Sequence, residues 1–251
     1  MDIPEAKEAL QFLNCPQMPL GNVPQTICSA DDLSKPNDYT KIFFVGDDSG
    51  LIEVFKIKIP MRRRGTDYLI VRIARTTMHK GGINQISPID TLKCYASCSM
   101  DHTVKFWNFL DSSTGNGGTF TVLRTFTDKV DSILGFNFSP TQKIIVTYGV
   151  SRDAYVWAIS PPRKLFKLGG HYNAIQCITD FITSNDEKYV LTITNRKEFR
   201  LWDSVNFRMV YEWNDNDLQR PENHYSASFF DLSRHSLITC SSYPSKWTED
   251  V

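Results

Sequence analysis

The sequence predicts an all-β chain assembled from copies of one short-stranded unit, and three observations predict it. Large aromatics return at a near-constant step: Trp107, Trp157, Trp202 and Trp247 are 50, 45 and 45 residues apart, and Phe55 stands 52 before the first. Each closes the same local text of apolar strand, polar turn and second strand, as in IFFVGDDSGLIEVFKI, YASCSMDHTVKFWNF, IVTYGVSRDAYVWAI, VLTITNRKEFRLWD and LITCSSYPSKWTED. A further apolar run such as TFTVLRTFT, RKLFKLGG or FRMVYEW follows the complete anchors, with no helical periodicity between units. Four short strands per unit of about 45 residues is the pattern of a propeller blade.

Taken in order, the first segment is punctuated by Pro4, Pro16, Pro19, Pro24 and Pro36, with one short helical stretch at 5–13. It reads as an extended N-terminal arm over 1–37, with the blades occupying 38–251. Unit one closes at Phe55 in place of tryptophan. The connection after it, IPMRRRGTD, holds Arg62, Arg63 and Arg64. That basic run offers a contact to an acidic partner such as tubulin or to a phosphate backbone, and the alternative is a solvated loop. Unit two opens at His79 (HKGGINQI), turns tightly at Met100-Asp101-His102 and closes at Trp107. Unit three opens at Lys129 instead of histidine, and Asp153 lies four residues before Trp157 where Asp101 lies six before Trp107, so its turn differs. Unit four opens at His171 and carries Arg196 where alignment on Trp202 expects the turn aspartate. Unit five runs from His224 to Trp247, four residues before the last residue, Val251, which leaves no room for an outermost strand. His79 and His171 are both followed by isoleucine at plus four and plus seven, and Lys129 by Ile133 and Phe136.

The opening His of unit four in Gly170-His171, its closing Trp202-Asp203, and the His79, Asp101 and Trp107 of unit two resemble the WD repeat. The resemblance covers about residues 38 to 251 and implies an incomplete WD-repeat β-propeller: four to five blades of a structure with on the order of seven or more. The chain is then a fragment, a partly built propeller, or one completed by other strands. A five-bladed closure using residues 20–36 is the less favoured alternative. The resemblance also implies that His79, Asp101, Ser97 or Ser99, and Trp107 form a hydrogen-bonded structural tetrad, with His171 and Trp202 as its counterparts in unit four. Units three and four are expected to lack the complete set.

SCSMDHTVKFWNF has hydrolase-like composition, but a Ser/His/Asp catalyst needs its groups brought together from separate strands or loops, with a base near an activated hydroxyl and a third group orienting the base, and neighbours along one strand do not provide that. Twenty-eight basic and 28 acidic side chains cancel to zero formal charge, which weighs against nucleic acid and anionic membranes as partners. MDIPEAKEALQFLN is acidic early and lacks the apolar core of a secretory signal. No window approaches the ~18 apolar residues of a membrane helix. The six cysteines read as reduced cytosolic core thiols. Cys94 and Cys98 on one strand face lie about 13 Å apart, too far to share a zinc. DSSTGNGGTF lacks the Gly-Lys-Ser/Thr ending of a phosphate loop. No metal, cofactor or catalytic residue is therefore assigned.

Function follows as a non-catalytic protein-interaction scaffold within a larger complex. The resemblance extends, more loosely, to WD-repeat proteins of the ciliary or flagellar axoneme, which implies tubulin or microtubule-associated proteins as partners and a cytoplasmic or axonemal location. Two alternatives stand beside it. One is a cytosolic regulatory adaptor recognising modified peptides, with Lys129 and Arg196 as candidates. The other is an enzyme with a channel active site.

Overall fold

The computed structural model describes residues 22–31, 40–58, 69–111, 117–179, 182–184, 187–214, 224–231 and 236–242. Within them the regular structure is β-strand apart from a 3-10 turn at Asp90–Leu92. The first sheet holds β1 (Pro24–Asp31), β2 (Thr40–Asp47), β3 (Leu51–Lys58) and β4 (Leu69–Thr77) in chain order. The second holds β5 (Ile83–Ile89), β6 (Cys94–Ser99), β7 (Thr103–Asp111) and β8 (Gly118–Thr127). The third holds β9 (Ile133–Ser139), β10 (Ile144–Gly149), β11 (Ala154–Ala158) and β12 (Arg163–Leu168). In the fourth, β13 (Ile175–Ile178) and β14 (Ile182–Ser184) both pair with β15 (Glu187–Thr194), followed by β16 (Glu198–Asp203) and β17 (Met209–Asn214). A fifth sheet consists of β18 (His224–Asp231) and β19 (Ser236–Ser242). All pairings are antiparallel, and the described residues form an incomplete β-propeller.

The core lies between sheets. Ile42, Phe44, Ile52 and Val54 of the first sheet pack with Ile83, Ile86 and Trp107 of the second. Cys94, Ala96, Cys98, Val104 and Phe106 on the other face of the second sheet meet Ile133, Phe136, Ile145 and Trp157 of the third. Ile144, Val146 and Val156 of the third meet Ile175, Val190 and Trp202 of the fourth. A sheet covered on both faces has little room for polar alternation, which explains why β6 is buried at five of its six positions. Each closing indole fills the junction with the preceding sheet; Trp107 has ring centroids of Tyr95, Phe44 and Phe120 at 5.1, 5.2 and 5.5 Å. Burying an indole contributes on the order of 5 kcal/mol by area.

Successive first strands lie side by side, β1 against β5, β5 against β9, β9 against β13 and β13 against β18. Side-chain amides stitch them where no ladder exists. Gln85 Nε2 donates to the Phe136 carbonyl at 3.1 Å while Gln85 Oε1 accepts the Phe136 N–H at 2.9 Å. Asn137 Nδ2 donates to the Ile178 carbonyl at 3.2 Å. These bonds satisfy backbone groups that would otherwise be buried without partners.

The sequence boundary at residue 37 is corrected by the first sheet. Pro24–Asp31 is no arm but the first strand of blade one, with Ile27 opposite Val45 and Cys28 opposite Phe44. A proline is tolerated at the first position of an edge strand, where its missing N–H removes no ladder bond. The strand therefore belongs to blade one and does not complete blade five. Residues 1–21, Arg62, Arg63, Arg64 and Trp247 lie outside the described residues.

Candidate functional site

The turn between β6 and β7 spans three residues, with His102 in the left-handed region at φ 68°. That geometry suits a three-residue hairpin. The Asp101 carboxylate holds it from inside, accepting the Thr103 N–H at 3.0 Å and the Thr103 hydroxyl at 2.6 Å. It also accepts the Lys80 N–H at 2.9 Å from the loop before β5. This places it beside His79, whose Nδ1 lies 3.1 and 3.2 Å from the two carboxylate oxygens and 3.0 Å from Thr103 Oγ1. A carboxylate only accepts, so Nδ1 carries the proton and Nε2 accepts from the Ser97 hydroxyl at 2.8 Å. Trp107 Nε1 then donates to the same Ser97 oxygen at 3.0 Å. The structure thus brings together His79, Ser97, Asp101 and Trp107. Ser99 is not part of this chain: its hydroxyl donates to the Gly81 carbonyl at 2.8 Å and accepts the Asp101 N–H at 3.0 Å.

The electrostatics follow from burial. His79 is 1% exposed, and desolvation lowers its pKa despite the opposing pull of Asp101. Burial alone would raise the Asp101 carboxyl, but hydrogen bonds from Thr103, the Lys80 backbone and His79 outweigh it and hold the group below its ordinary value. A neutral imidazole donating to an ionised carboxylate is the resulting state.

Blade four reproduces the buried half of this arrangement. His171 Nδ1 donates to the Arg152 carbonyl at 3.1 Å, and its Nε2 lies 2.7 Å from Thr192 Oγ1, which accepts the Trp202 indole N–H at 2.9 Å. Burial, reinforced by the Arg200 charge, lowers His171 to about 4. The turn carboxylate comes from a residue the sequence alignment did not single out. Glu198, two positions past Arg196, accepts the Tyr172 N–H at 3.1 Å and pairs with Arg200 Nε at 2.8 Å. Tyr172 follows His171 as Lys80 follows His79, so Glu198 meets the same backbone N–H in blade four that Asp101 meets in blade two, while the imidazole Nδ1 is taken by the Arg152 carbonyl. Arg200 also reaches Glu212 at 3.3 Å and the Gly169 carbonyl at 3.1 Å.

Blade three keeps only the indole and its acceptor, with Trp157 Nε1 donating to Thr147 Oγ1 at 2.8 Å. Lys129 is exposed, and the turn is held by Asp131, which accepts the Ser151 N–H at 3.0 Å. Blade one has no indole N–H to satisfy: Phe55 and Val45 occupy the two positions and are buried. A hydroxyl stands ten residues before Trp107, Trp157 and Trp202, at Ser97, Thr147 and Thr192, whereas valine stands ten before Phe55 and leucine ten before Trp247. That spacing is a signal present in the sequence. Among the described residues, no group of three or more His, Cys, Asp or Glu is placed to hold a metal, and no helix is long and apolar enough to cross a membrane. Cys28, Cys94, Cys98 and Cys177 are buried.

Antiparallel sheets arranged as blades, with buried imidazole–hydroxyl–indole chains pinning the junctions, define a repeat-built β-propeller protein. A family model described as WD domain, G-beta repeat matches residues 71–108, the stretch from β4 through β7 that contains His79, Ser97, Asp101 and Trp107. That stretch carries one WD repeat, the antiparallel sheets around it fit a WD-repeat propeller, and such a fold supports protein interaction in general.

Proposed function

We propose that this chain is a non-catalytic interaction scaffold in a larger assembly, set in the microtubule structures of the cilium or flagellum. The observation that carries the scaffold reading is the complete engagement of the groups that had offered chemistry. Ser97 is fully buried and shared between Trp107 and His79, and Asp101 is taken up by His79, Thr103 and the Lys80 backbone. A nucleophile must be reachable by substrate, and this hydroxyl lies inside a blade junction. The tetrad's role in this reading is to hold loops rigidly at one end of the blades. The axonemal setting rests on the sequence resemblance alone.

Crosslinking mass spectrometry on axonemal and cytosolic extracts tests it, with the exposed Lys80 and Lys129 as reporters. Reproducible crosslinks to tubulin or microtubule-bound proteins are expected. Crosslinks confined to soluble factors discard the axonemal setting and leave a cytosolic adaptor. The absence of reproducible partner crosslinks overturns the scaffold reading.

A further inference from the structure

The loops at the His79–Asp101 end of blades two to four form one connected rim. Met100 O accepts from Ser132 Oγ at 3.2 Å, Asp131 accepts the Ser151 N–H at 3.0 Å, and the Arg152 carbonyl accepts from His171 at 3.1 Å. Tyr172 N–H then donates to Glu198 beside the last turn. Each bond joins one loop to the next, so the side chains that these loops present share one surface.

Its composition is distinctive. Met100, Val130, Val150 and Tyr172 are 42%, 78%, 58% and 70% exposed, an apolar series where solvated loops ordinarily carry polar groups. Interleaved with them are exposed Lys80, Lys129, Arg152 and Arg196, none of which makes an ion pair among the described residues. The acids of the same loops are already committed. Asp101 holds His79 and its turn, Asp128 pairs with Lys164 at 2.8 Å, Asp153 with Lys167 at 2.6 Å, and Glu198 with Arg200. Asp48, in the blade-one turn, is exposed. The protein is neutral overall, yet blades two to four expose cations at this end and neutralise their carboxylates internally.

We propose that this rim docks a carboxylate-rich polypeptide segment carrying interspersed apolar side chains, an inference that rests on the scaffold reading. The four cations sit on four separate loops and do not converge on one point. A phosphate group calls for a convergent cluster, whereas a row of glutamates presents charges along its length. The apolar residues between the cations supply the desolvated contacts that hold such a segment once charge has steered it in.

The test uses fluorescence anisotropy with a fluorescein-labelled synthetic peptide of glutamates interspersed with leucines, and the same peptide with glutamine for glutamate. Four forms of the whole chain are compared: wild type, Lys129→Glu/Arg152→Glu, Val130→Ser/Tyr172→Ser, and Lys143→Glu/Arg163→Glu as a control on the other loops. All substituted side chains are exposed, so unchanged thermal melting is required of each variant. Expected are saturable binding of the glutamate peptide, a loss of roughly tenfold or more in each rim variant, and no loss in the control. Binding should weaken steeply from about 0.05 to 0.2 M salt, and the glutamine peptide should not compete. No saturable binding, equal binding of the glutamine peptide, or equal losses in rim and control variants overturns the proposal. Repeating the extract crosslinks with the charge-reversed rim separates the two readings. Retained partner crosslinks sink the rim and leave the scaffold standing; their absence already in wild type sinks the scaffold itself.

Discussion

Blades two and four bury the same imidazole against the same indole, yet they close the adjoining turn with carboxylates from different places. In blade two the acid is Asp101, inside the turn; in blade four it is Glu198, the first residue of the following strand. The longer glutamate side chain makes up for its position, and both end on the N–H of the residue after the histidine. What these two blades keep is a carboxylate for the N–H after the histidine, and the residue that supplies it differs. In blade three the corresponding N–H, of Val130, goes to Asp128 at 3.0 Å, while its strand turn is held by Asp131; in blade one the turn is held by Asp47, which accepts the Ser49 and Leu51 N–H groups at 2.9 Å each. The acid's place in the sequence therefore differs from blade to blade.

The largest expected effect breaks the comparison at its less familiar member. Glu198→Ala leaves Arg200, only 6% exposed, without its nearest counter-charge and should destabilise the protein by about 3 kcal/mol in urea denaturation, because an unpaired buried charge is costly. A value near zero would mean that Glu212 and the Gly169 carbonyl suffice for Arg200, and that Glu198 is no counterpart of Asp101.

Ser97→Ala comes next, at about 2 kcal/mol, because one deletion strips the partner from both His79 Nε2 and Trp107 Nε1. Ser97→Thr, which imitates blades three and four, should recover most of that loss. Failure of the threonine to rescue would show that the two junctions differ in packing as well as in acid placement.

The smallest effect is in pH. His171 titrates near 4 when folded and at 6.5 when free, so below pH 6.5 the unfolded chain binds the extra proton and stability falls as pH drops towards 4. The slope from one such group is limited to about 1.4 kcal/mol per pH unit. His79 is shifted the same way, whereas Asp101 is held low and surrenders its contribution only as pH falls through its own depressed value. Denaturation at pH 7, 6 and 5 should show this decline, and His171→Gln should flatten it. An unchanged slope in that variant would assign the acid sensitivity elsewhere.

The repeat and the blade-two site were legible because tryptophan is rare and its spacing survives divergence. Trp107, His79 and Asp101 sit at recognisable offsets, while Ser97 and Ser99, two apart on one strand face, differ only in their distance along it: Ser97 lies beside the indole and Ser99 at the turn. Strand β1 was illegible because it lacks a closing aromatic and begins at a proline in a proline-punctuated segment. Glu198 was hidden by aligning on Trp202, which put Arg196 in the aspartate's column. The basic rim has no local signature, since its cations lie in four loops that only the hydrogen bonds between blades bring together.

The shared clusters between sheets have a consequence for how the molecule comes apart. Between the first four sheets the core is shared: Trp157 of the third sheet rests against Phe126 of the second, with centroids 6.3 Å apart, and Trp202 of the fourth is buried with Val146 of the third. Cohesion is therefore a nearest-neighbour quantity, as in a one-dimensional array whose links carry the energy and whose elements carry little by themselves. A lesion in one junction loosens the sheets on its two sides, and the remaining junctions feel it only through them.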